Sequence, residues 1–90
     1  RTPKVNPAGG RDHWPQCYTA LFAGGGIRGG AVYGSSDKNG AYPATQPTRP
    51  EDLAATIFHA LGLDPGTEVA DVQGRPLPIA AGKPITEIFG

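Results

Sequence analysis

The most regular pattern of apolar and polar positions lies in residues 48–62. Leu53, Ile57, Ala60 and Leu61 follow one another at spacings of three, four or one residue, which places them on one face of a helix. The polar residues between them fall on the other side of that helix. The pattern therefore predicts an amphipathic helix that buries this apolar stripe.

Both ends of the helix carry recognisable termination signals. Thr48 followed three residues later by Glu51 matches a capping box, with Thr48 as the N-cap. Gly62 is suited to the left-handed C-terminal position, and Leu63 can make the apolar contact that accompanies it. The sequence predicts a helix over about residues 49–61.

The rest of the chain predicts only short elements, because no other apolar pattern continues for more than a few residues. They are two turns of helix at 16–23, a hairpin of strands 31–34 and 41–42 around a turn at 35–40, and a short strand at 69–72 with no assigned partner. A turn at 74–76, an edge strand at 77–79 and a closing helical turn at 84–89 follow.

Composition limits the class of protein. Ninety residues suffice for one small domain, and 14 glycines and 10 prolines indicate long loops. The formal net charge is zero without a basic run, so the sequence gives no sign of nucleic-acid binding, and no apolar stretch is long enough to cross a membrane. Since there is no methionine, we expect a piece of a longer protein.

The strongest candidate for chemistry is the pair Asp12-His13. A carboxylate and an imidazole together suit zinc and other first-row divalent ions. Adjacent side chains can reach one ion only off regular structure, and Gly9-Gly10 before the pair and Trp14-Pro15 after it predict such a turn. The alternative is that Asp12 caps the turn and His13 is merely solvated.

Three other features have plainer interpretations. Cys17 is the only cysteine, so an intrachain disulfide is excluded, and a small apolar role is favoured over a nucleophile. His59 is near the helix C-terminus, where a surface or capping role is favoured over metal binding. The glycine-rich stretch 24–30 with Arg28 could cradle an anion, but it lacks a P-loop pattern, and a loop that passes close to other backbone is favoured.

Four stretches together resemble the C-terminal part of an uncharacterised sulfatase-like family in the alkaline phosphatase superfamily. They are, in order, RTPKVNPAGGRDHWP, LFAGGGIRGGAVYGSSDKNG, TRPEDLAATIFHALGLDP and GRPLPI with GKPITEIF. The resemblance implies an α/β class and places residues 1–90 as a partial C-terminal segment of a single domain, an α/β/α sandwich. It also implies a periplasmic or extracellular location.

The resemblance further implies a metal-dependent hydrolase of sulfate or phosphate esters, whose substrate is a small molecule or a polysaccharide. Asp12 and His13 match its metal ligands, and the ion would be of the zinc or calcium type. Lys4, Arg11 and Arg49 are weaker candidates for binding the anionic ester. The nucleophile and other ligands belong to upstream strands of the same domain, so this segment alone has no catalytic residue. The alternative is a non-catalytic binding or structural module.

Overall fold

The computed structural model describes residues 1–90, which divide into two compact units. Unit 1 comprises Arg1–Phe22 and Val32–Pro47, and unit 2 comprises Ala23–Ala31 and Thr48–Gly90. The elements are β1 (Ser35–Ser36), β2 (Pro43–Thr45), α1 (Pro50–Ala60), β3 (Glu68–Ala70), β4 (Pro76–Pro78) and a 3₁₀ turn (Thr86–Ile88). No helix is long and apolar enough to span a membrane.

The predicted α/β/α sandwich is wrong. The structure contains one α-helix and two separate antiparallel sheets, β1 with β2 and β3 with β4, each of two strands. Every strand residue is exposed. A sandwich needs strands that are apolar enough to be covered by helices on both faces, whereas these strands are two or three residues long and rich in serine, threonine and proline.

The turn of unit 1 overlaps the predicted turn at 35–40 but begins later, because Ser35–Ser36 form β1, and it is built around Asp37. One carboxylate oxygen of Asp37 accepts hydrogen bonds from the backbone N–H groups of Asn39 and Ala41 at 3.1 and 2.9 Å. The other accepts from the N–H of Tyr42 at 3.3 Å. The carbonyl of Asp37 also accepts from the N–H of Gly40. An aspartate that satisfies several amides in this way is typical of a tight turn.

The strands beside this turn are displaced from their predicted positions at 31–34 and 41–42. β1 and β2 pair instead, with an irregularity in register inside β1. The backbone of Ala41 has other partners: its N–H donates to Asp37, and its carbonyl accepts from the Trp14 indole. Pairing therefore begins only beyond these residues.

The predicted helix at 16–23 is absent. Its apolar side chains do not form one buried face: Cys17 and Phe22 are half-buried, whereas Leu21 is 93% exposed and Tyr18 is largely exposed. A helix of two turns is unstable in water without burial of one face. The spacing of apolar residues was compatible with a helix but insufficient to form one.

The predicted long helix is confirmed as α1, with a different N-terminal cap. Arg49 rather than Thr48 is the N-cap residue, and Pro50 is the first helical residue. The carboxylate of Asp52, and not that of Glu51, accepts the N–H of Arg49 at 3.0 Å. Glu51 instead forms an exposed ion pair with Arg49 at 3.4 Å. The capping box is therefore formed by Arg49 and Asp52, one residue later than the predicted Thr48 and Glu51.

The C-terminal end of α1 is as predicted. Gly62 adopts a left-handed conformation with φ of 81°. Its N–H donates to the carbonyl of His59 at 3.0 Å, and the N–H of Leu63 donates to Phe58 at 2.9 Å. These two bonds form a Schellman motif, which satisfies carbonyls that the helix itself leaves free.

The buried face of α1 follows the predicted stripe only in part, since Leu53 and Ala60 of that stripe are half-buried. Ala55 and Thr56 are buried, whereas Ile57 and Leu61 are 48% and 69% exposed. The buried residues of unit 2 are Ala55, Thr56, Pro65, Ile85 and Ile88. The helix therefore packs its smaller residues inward, because the chain that covers it approaches very closely.

That close approach depends on two residues. The Thr56 hydroxyl donates to the carbonyl of Asp52 at 2.7 Å and accepts from the N–H of Ile85 at 2.9 Å. Gly82 lies directly on the first turn of α1, where a Cβ atom would overlap the backbone of Glu51 and Asp52. A glycine and a buried hydroxyl thus fasten residues 82–85 to the helix.

The C-terminal segment of unit 2 also pairs with the glycine-rich stretch 24–30. Ile27 forms an antiparallel bridge with Phe89, and the Arg28 guanidinium donates to the carbonyl of Glu87 at 3.3 Å. These contacts favour the interpretation of this stretch as a loop that passes close to other backbone. The predicted closing turn is present as the 3₁₀ turn.

Asp52 makes the stability of unit 2 depend on pH. Backbone N–H groups of Arg49 and Lys83 donate to its carboxylate, each at 3.0 Å, and these bonds lower the pKa of Asp52 below its ordinary value of 3.8. Since the pKa is lower in the folded state than in the unfolded state, the stabilisation is complete above the ordinary value. It is lost as the pH falls through the lowered value.

We therefore expect the melting temperature of unit 2 to fall more steeply on acidification in the natural chain than in Asp52→Asn. Thermal unfolding followed by circular dichroism from about pH 6 down to about pH 2 measures this difference. The comparison separates Asp52 from Asp71, whose pKa is also lowered, first by the Arg75 N–H. Parallel curves for the two proteins contradict the prediction.

Candidate functional site

The loop that leads to the Asp12-His13 pair is organised by Asn6. The side-chain oxygen of Asn6 accepts from the N–H groups of Ala8 and Gly10 at 3.0 and 2.9 Å. Its side-chain nitrogen donates to the Asp12 carboxylate at 3.2 Å. The N–H of Asn6 also donates to the carbonyl of Gly10 at 2.7 Å. One asparagine thus shapes the loop and orients the candidate ligand.

Thr2 joins the two ends of the same loop. Its N–H donates to the carbonyl of Asp12 at 2.9 Å, and its hydroxyl accepts from the N–H of Asp12 at 3.2 Å. The hydroxyl in turn donates to the carbonyl of Lys4 at 2.9 Å. The backbone of Asp12 is therefore held on both its amide and carbonyl sides.

Trp14 fixes the chain immediately after the pair. Its indole N–H donates to the carbonyl of Ala41 at 2.7 Å, and its ring meets that of Tyr42 edge to face with centroids 5.8 Å apart. His13, between Asp12 and Trp14, is exposed and forms no hydrogen bond or ion pair within the chain. The imidazole of His13 is free to bind a ligand while its backbone neighbours are held.

The donor chemistry of the pair fits a divalent cation, but the pair is incomplete. Asp12 supplies a carboxylate oxygen that no other residue occupies, and His13 supplies a neutral nitrogen. No group of three or more histidine, cysteine, aspartate or glutamate side chains is assembled anywhere in the chain. Catalytic zinc sites have three protein ligands, so any such ion needs further ligands from outside these residues.

Only one of the three basic candidates shares a cavity with Asp12, and His13 does not line that cavity. Lys4 and Asp12 line the same open cavity of about 420 Å³. Arg11 is exposed, and its carbonyl accepts from the Arg1 guanidinium. Arg49 belongs to unit 2, where it caps α1. The structure thus gives Arg49 a structural role, and Lys4 is the basic candidate that lines a cavity together with Asp12.

His59 and Cys17 have no partners that indicate chemistry. The exposed imidazole of His59 lies edge to face with Phe89 at 4.8 Å and borders an open cavity of about 430 Å³. Cys17 is a partly exposed free thiol. The surface position predicted for His59 agrees with its exposure, and Cys17 is less buried than a small core residue.

Sequence reasoning missed the role of Asn6. The signal was available, because asparagine readily bonds to backbone two residues on, and Asn6-Pro7 stands shortly before Gly9-Gly10 in the sequence. The sequence did not predict the contact of Asn6 with Asp12, since this contact depends on how the loop closes.

A comparison with protein families matches residues 1–89 to DUF1501, described as a protein of unknown function. The chain belongs to the DUF1501 family. No curated protein and no solved structure matches it. The identification as a sulfatase-like member of the alkaline phosphatase superfamily is wrong, because the matched family is uncharacterised and carries no such assignment.

Membership of DUF1501 leaves the chemistry open. The metal pair, the ester substrates and the periplasmic or extracellular location were implied by the discarded resemblance, and they stay predictions. What remains independent of any family is the donor chemistry of Asp12 and His13 and the geometry of the loop that leads to them.

Proposed function

We propose that this DUF1501 chain contributes Asp12 and His13 to a divalent metal centre of a hydrolase that acts on phosphate or sulfate esters. The remaining metal ligands and the nucleophile lie outside these 90 residues. The observation that carries the proposal is that Asn6 orients the Asp12 carboxylate, and that the next residue in the chain is an exposed histidine with no partner.

The contact between Asn6 and Asp12 supports a ligand role more strongly than the dipeptide does. Carboxylates that bind metals are themselves held by an outer hydrogen-bond donor, which fixes the direction of the free lone pairs. Asn6 is such a donor to Asp12, and it is itself held by two backbone amides. An aspartate that is only solvated does not require an outer hydrogen-bond donor of this kind.

A cation at this position would supply charge neutralisation and activate an attacking oxygen, which is the chemistry that ester hydrolysis requires. The chain's own contribution is to orient the ligands and to place a positive charge beside them. Lys4 lines the cavity next to Asp12 and can bind an anionic ester oxygen. The identity of the ion, zinc or calcium type, is left to experiment.

Asn6→Ala removes a hydrogen-bond partner of a ligand, and we expect it to lower metal affinity roughly 10–100-fold. His13→Ala removes a ligand itself, so we expect it to lower metal affinity by at least as much. The measurement is elemental analysis and metal titration of the complete protein that contains these residues. Turnover of aryl phosphates and aryl sulfates is followed in parallel.

His59→Ala is the matched control, because it removes the other exposed imidazole of the chain from unit 2. It is expected to retain metal and turnover at the natural level. Equal metal content in the natural protein and in His13→Ala contradicts the proposal, as does loss of metal in His59→Ala alone.

The second candidate is a non-catalytic binding or structural module, with the turn serving only to position Trp14. It is favoured by the absence of a third ligand and by the exposure of large apolar side chains in both units, among them Leu21, Val32 and Val72. A complete protein without bound metal, in which Trp14→Ala destabilises the chain but His13→Ala does not, favours this candidate.

A further inference from the structure

The turn of unit 1 contains the dipeptide Asn39-Gly40, and both of its residues are exposed. The backbone of Asn39 is held, since its N–H donates to the Asp37 carboxylate at 3.1 Å. The side-chain amide of Asn39, by contrast, has no hydrogen-bond partner within the chain. An exposed carboxamide without a partner is free to rotate towards the backbone that follows it.

The backbone nitrogen of Gly40 is readily approached from the side of Asn39. Glycine has no Cβ to obstruct this approach, and even a Cβ atom built at this position would meet nothing within 4 Å. The N–H of Gly40 donates only to the carbonyl of Asp37, at 3.1 Å. A single hydrogen bond at an exposed turn must therefore open to release this nitrogen, and exposed turns open at little cost in free energy.

We propose that Asn39 is a site of spontaneous deamidation, in which the backbone nitrogen of Gly40 attacks the side-chain carbonyl carbon of Asn39. Hydroxide or another base takes the proton from that nitrogen, and the new bond between the nitrogen and Cγ closes a succinimide ring. The bond between Cγ and the side-chain nitrogen breaks, and this nitrogen takes up a proton and leaves as ammonia. Water then adds to one of the two ring carbonyls and opens the ring, so the net reaction consumes one water and releases one ammonia.

The two directions of ring opening give different backbones. Attack of water at Cγ gives an ordinary aspartate at position 39. Attack at the main-chain carbonyl gives isoaspartate, in which the main chain runs through the side chain and is longer by one methylene group. Both products add a negative charge to the turn, but only isoaspartate changes the spacing of its backbone groups.

Asn6 provides a matched control within the same unit, because it is the only other asparagine of the chain. Asn6 is followed by Pro7, whose nitrogen carries no hydrogen and cannot form the succinimide. The Asn6 amide is also held, since its oxygen accepts from two backbone N–H groups and its nitrogen donates to Asp12. Unit 1 thus contains one reactive and one protected asparagine.

Isoaspartate at position 39 is expected to loosen Trp14. Asp37 holds the backbone N–H groups of residues 39–42, and the carbonyl of Ala41 accepts the Trp14 indole at 2.7 Å. An extra methylene after position 39 moves Ala41 and Tyr42 relative to Asp37. The indole then loses its acceptor, and its edge-to-face contact with Tyr42 is disturbed.

Incubation of the full chain in mildly alkaline buffer tests the proposal, with peptide mapping by mass spectrometry, enzymatic methylation of isoaspartate and assay of free ammonia. The expected result is replacement of the side-chain NH₂ by OH at position 39, with the corresponding gain in mass, part of it as isoaspartate. Asn6 is expected to stay unchanged. Retention of asparagine at position 39, or equal conversion at positions 6 and 39, overturns the proposal.

Two variants separate the reaction from its consequence. Asn39→Gln keeps an exposed amide but needs a larger ring, so loss of the reaction at position 39 is expected. Asn39→Asp reproduces the charge of the product without the extra methylene. Conversion of Asn39→Gln at the rate of the natural chain overturns attack by the Gly40 nitrogen.

Fluorescence of Trp14, the only tryptophan of the chain, measures the consequence. The emission is expected to shift to longer wavelength in proportion to the isoaspartate formed, because the half-buried indole becomes more exposed. Asn39→Asp is expected to emit as the fresh natural chain does. An unshifted emission in chains that contain isoaspartate, or an equal shift in Asn39→Asp, overturns the coupling of Trp14 to the backbone change.

Discussion

Replacing Gly82 with alanine is expected to destabilise unit 2 by about 3 kcal/mol or more, at or above the usual range for overpacking. A Cβ atom at this position would overlap the backbone carbonyl of Glu51 and the backbone nitrogen of Asp52. These atoms belong to the first turn of α1 and cannot rotate away as a side chain would. Residues 82–85 would have to separate from the helix, which would also break the contacts of Asp52 and Thr56.

Chemical denaturation followed by far-ultraviolet circular dichroism measures this effect, because α1 is the only α-helix and lies in unit 2. Gly29→Ala is the matched control: it lies in the same unit, and a Cβ atom there meets nothing within 4 Å. It is expected to change stability by no more than about 0.5 kcal/mol. Similar unfolding midpoints for the two variants would show that Gly82 does not contact the helix closely.

Thr56→Val is expected to cost about 2 kcal/mol, within the range for a buried hydrogen-bonding group left without its partner. Valine nearly preserves the shape of threonine, but it cannot accept the N–H of Ile85 or donate to the carbonyl of Asp52. Thr56 is 1% exposed, so water cannot replace the lost acceptor. The expected signature is a lower free energy of unfolding and faster hydrogen exchange at the Ile85 amide.

Thr56→Ser is the control for this prediction. Serine retains the hydroxyl and both hydrogen bonds but loses a methyl group, so its cost is expected to be about 1 kcal/mol and to arise from packing. The Ile85 amide should stay protected in this variant. If serine proves as damaging as valine, the methyl group matters and the hydroxyl does not.

The candidate site could be located from the sequence but not completed. Asp12 and His13 were recognisable because their chemistry and the surrounding glycines pointed to a turn that presents both side chains. The hydrogen bond from Asn6 and the position of Lys4 beside Asp12 depend on loop closure, which local pattern does not specify. A family resemblance supplied the sandwich fold, and that part proved wrong.

Local signals by themselves determined the C-terminal end of α1 and the turn at Asp37. Gly62 terminates α1 and Asp37 builds its turn because each acts on backbone only a few residues away. The tertiary structure alone decided which face of α1 is buried. Periodicity favoured the larger apolar residues, yet Thr56 faces the core, because a glycine at 82 lets the chain approach the helix too closely for larger side chains. Which face of a helix is buried depends on the segment that packs against it, and here that segment is distant in sequence.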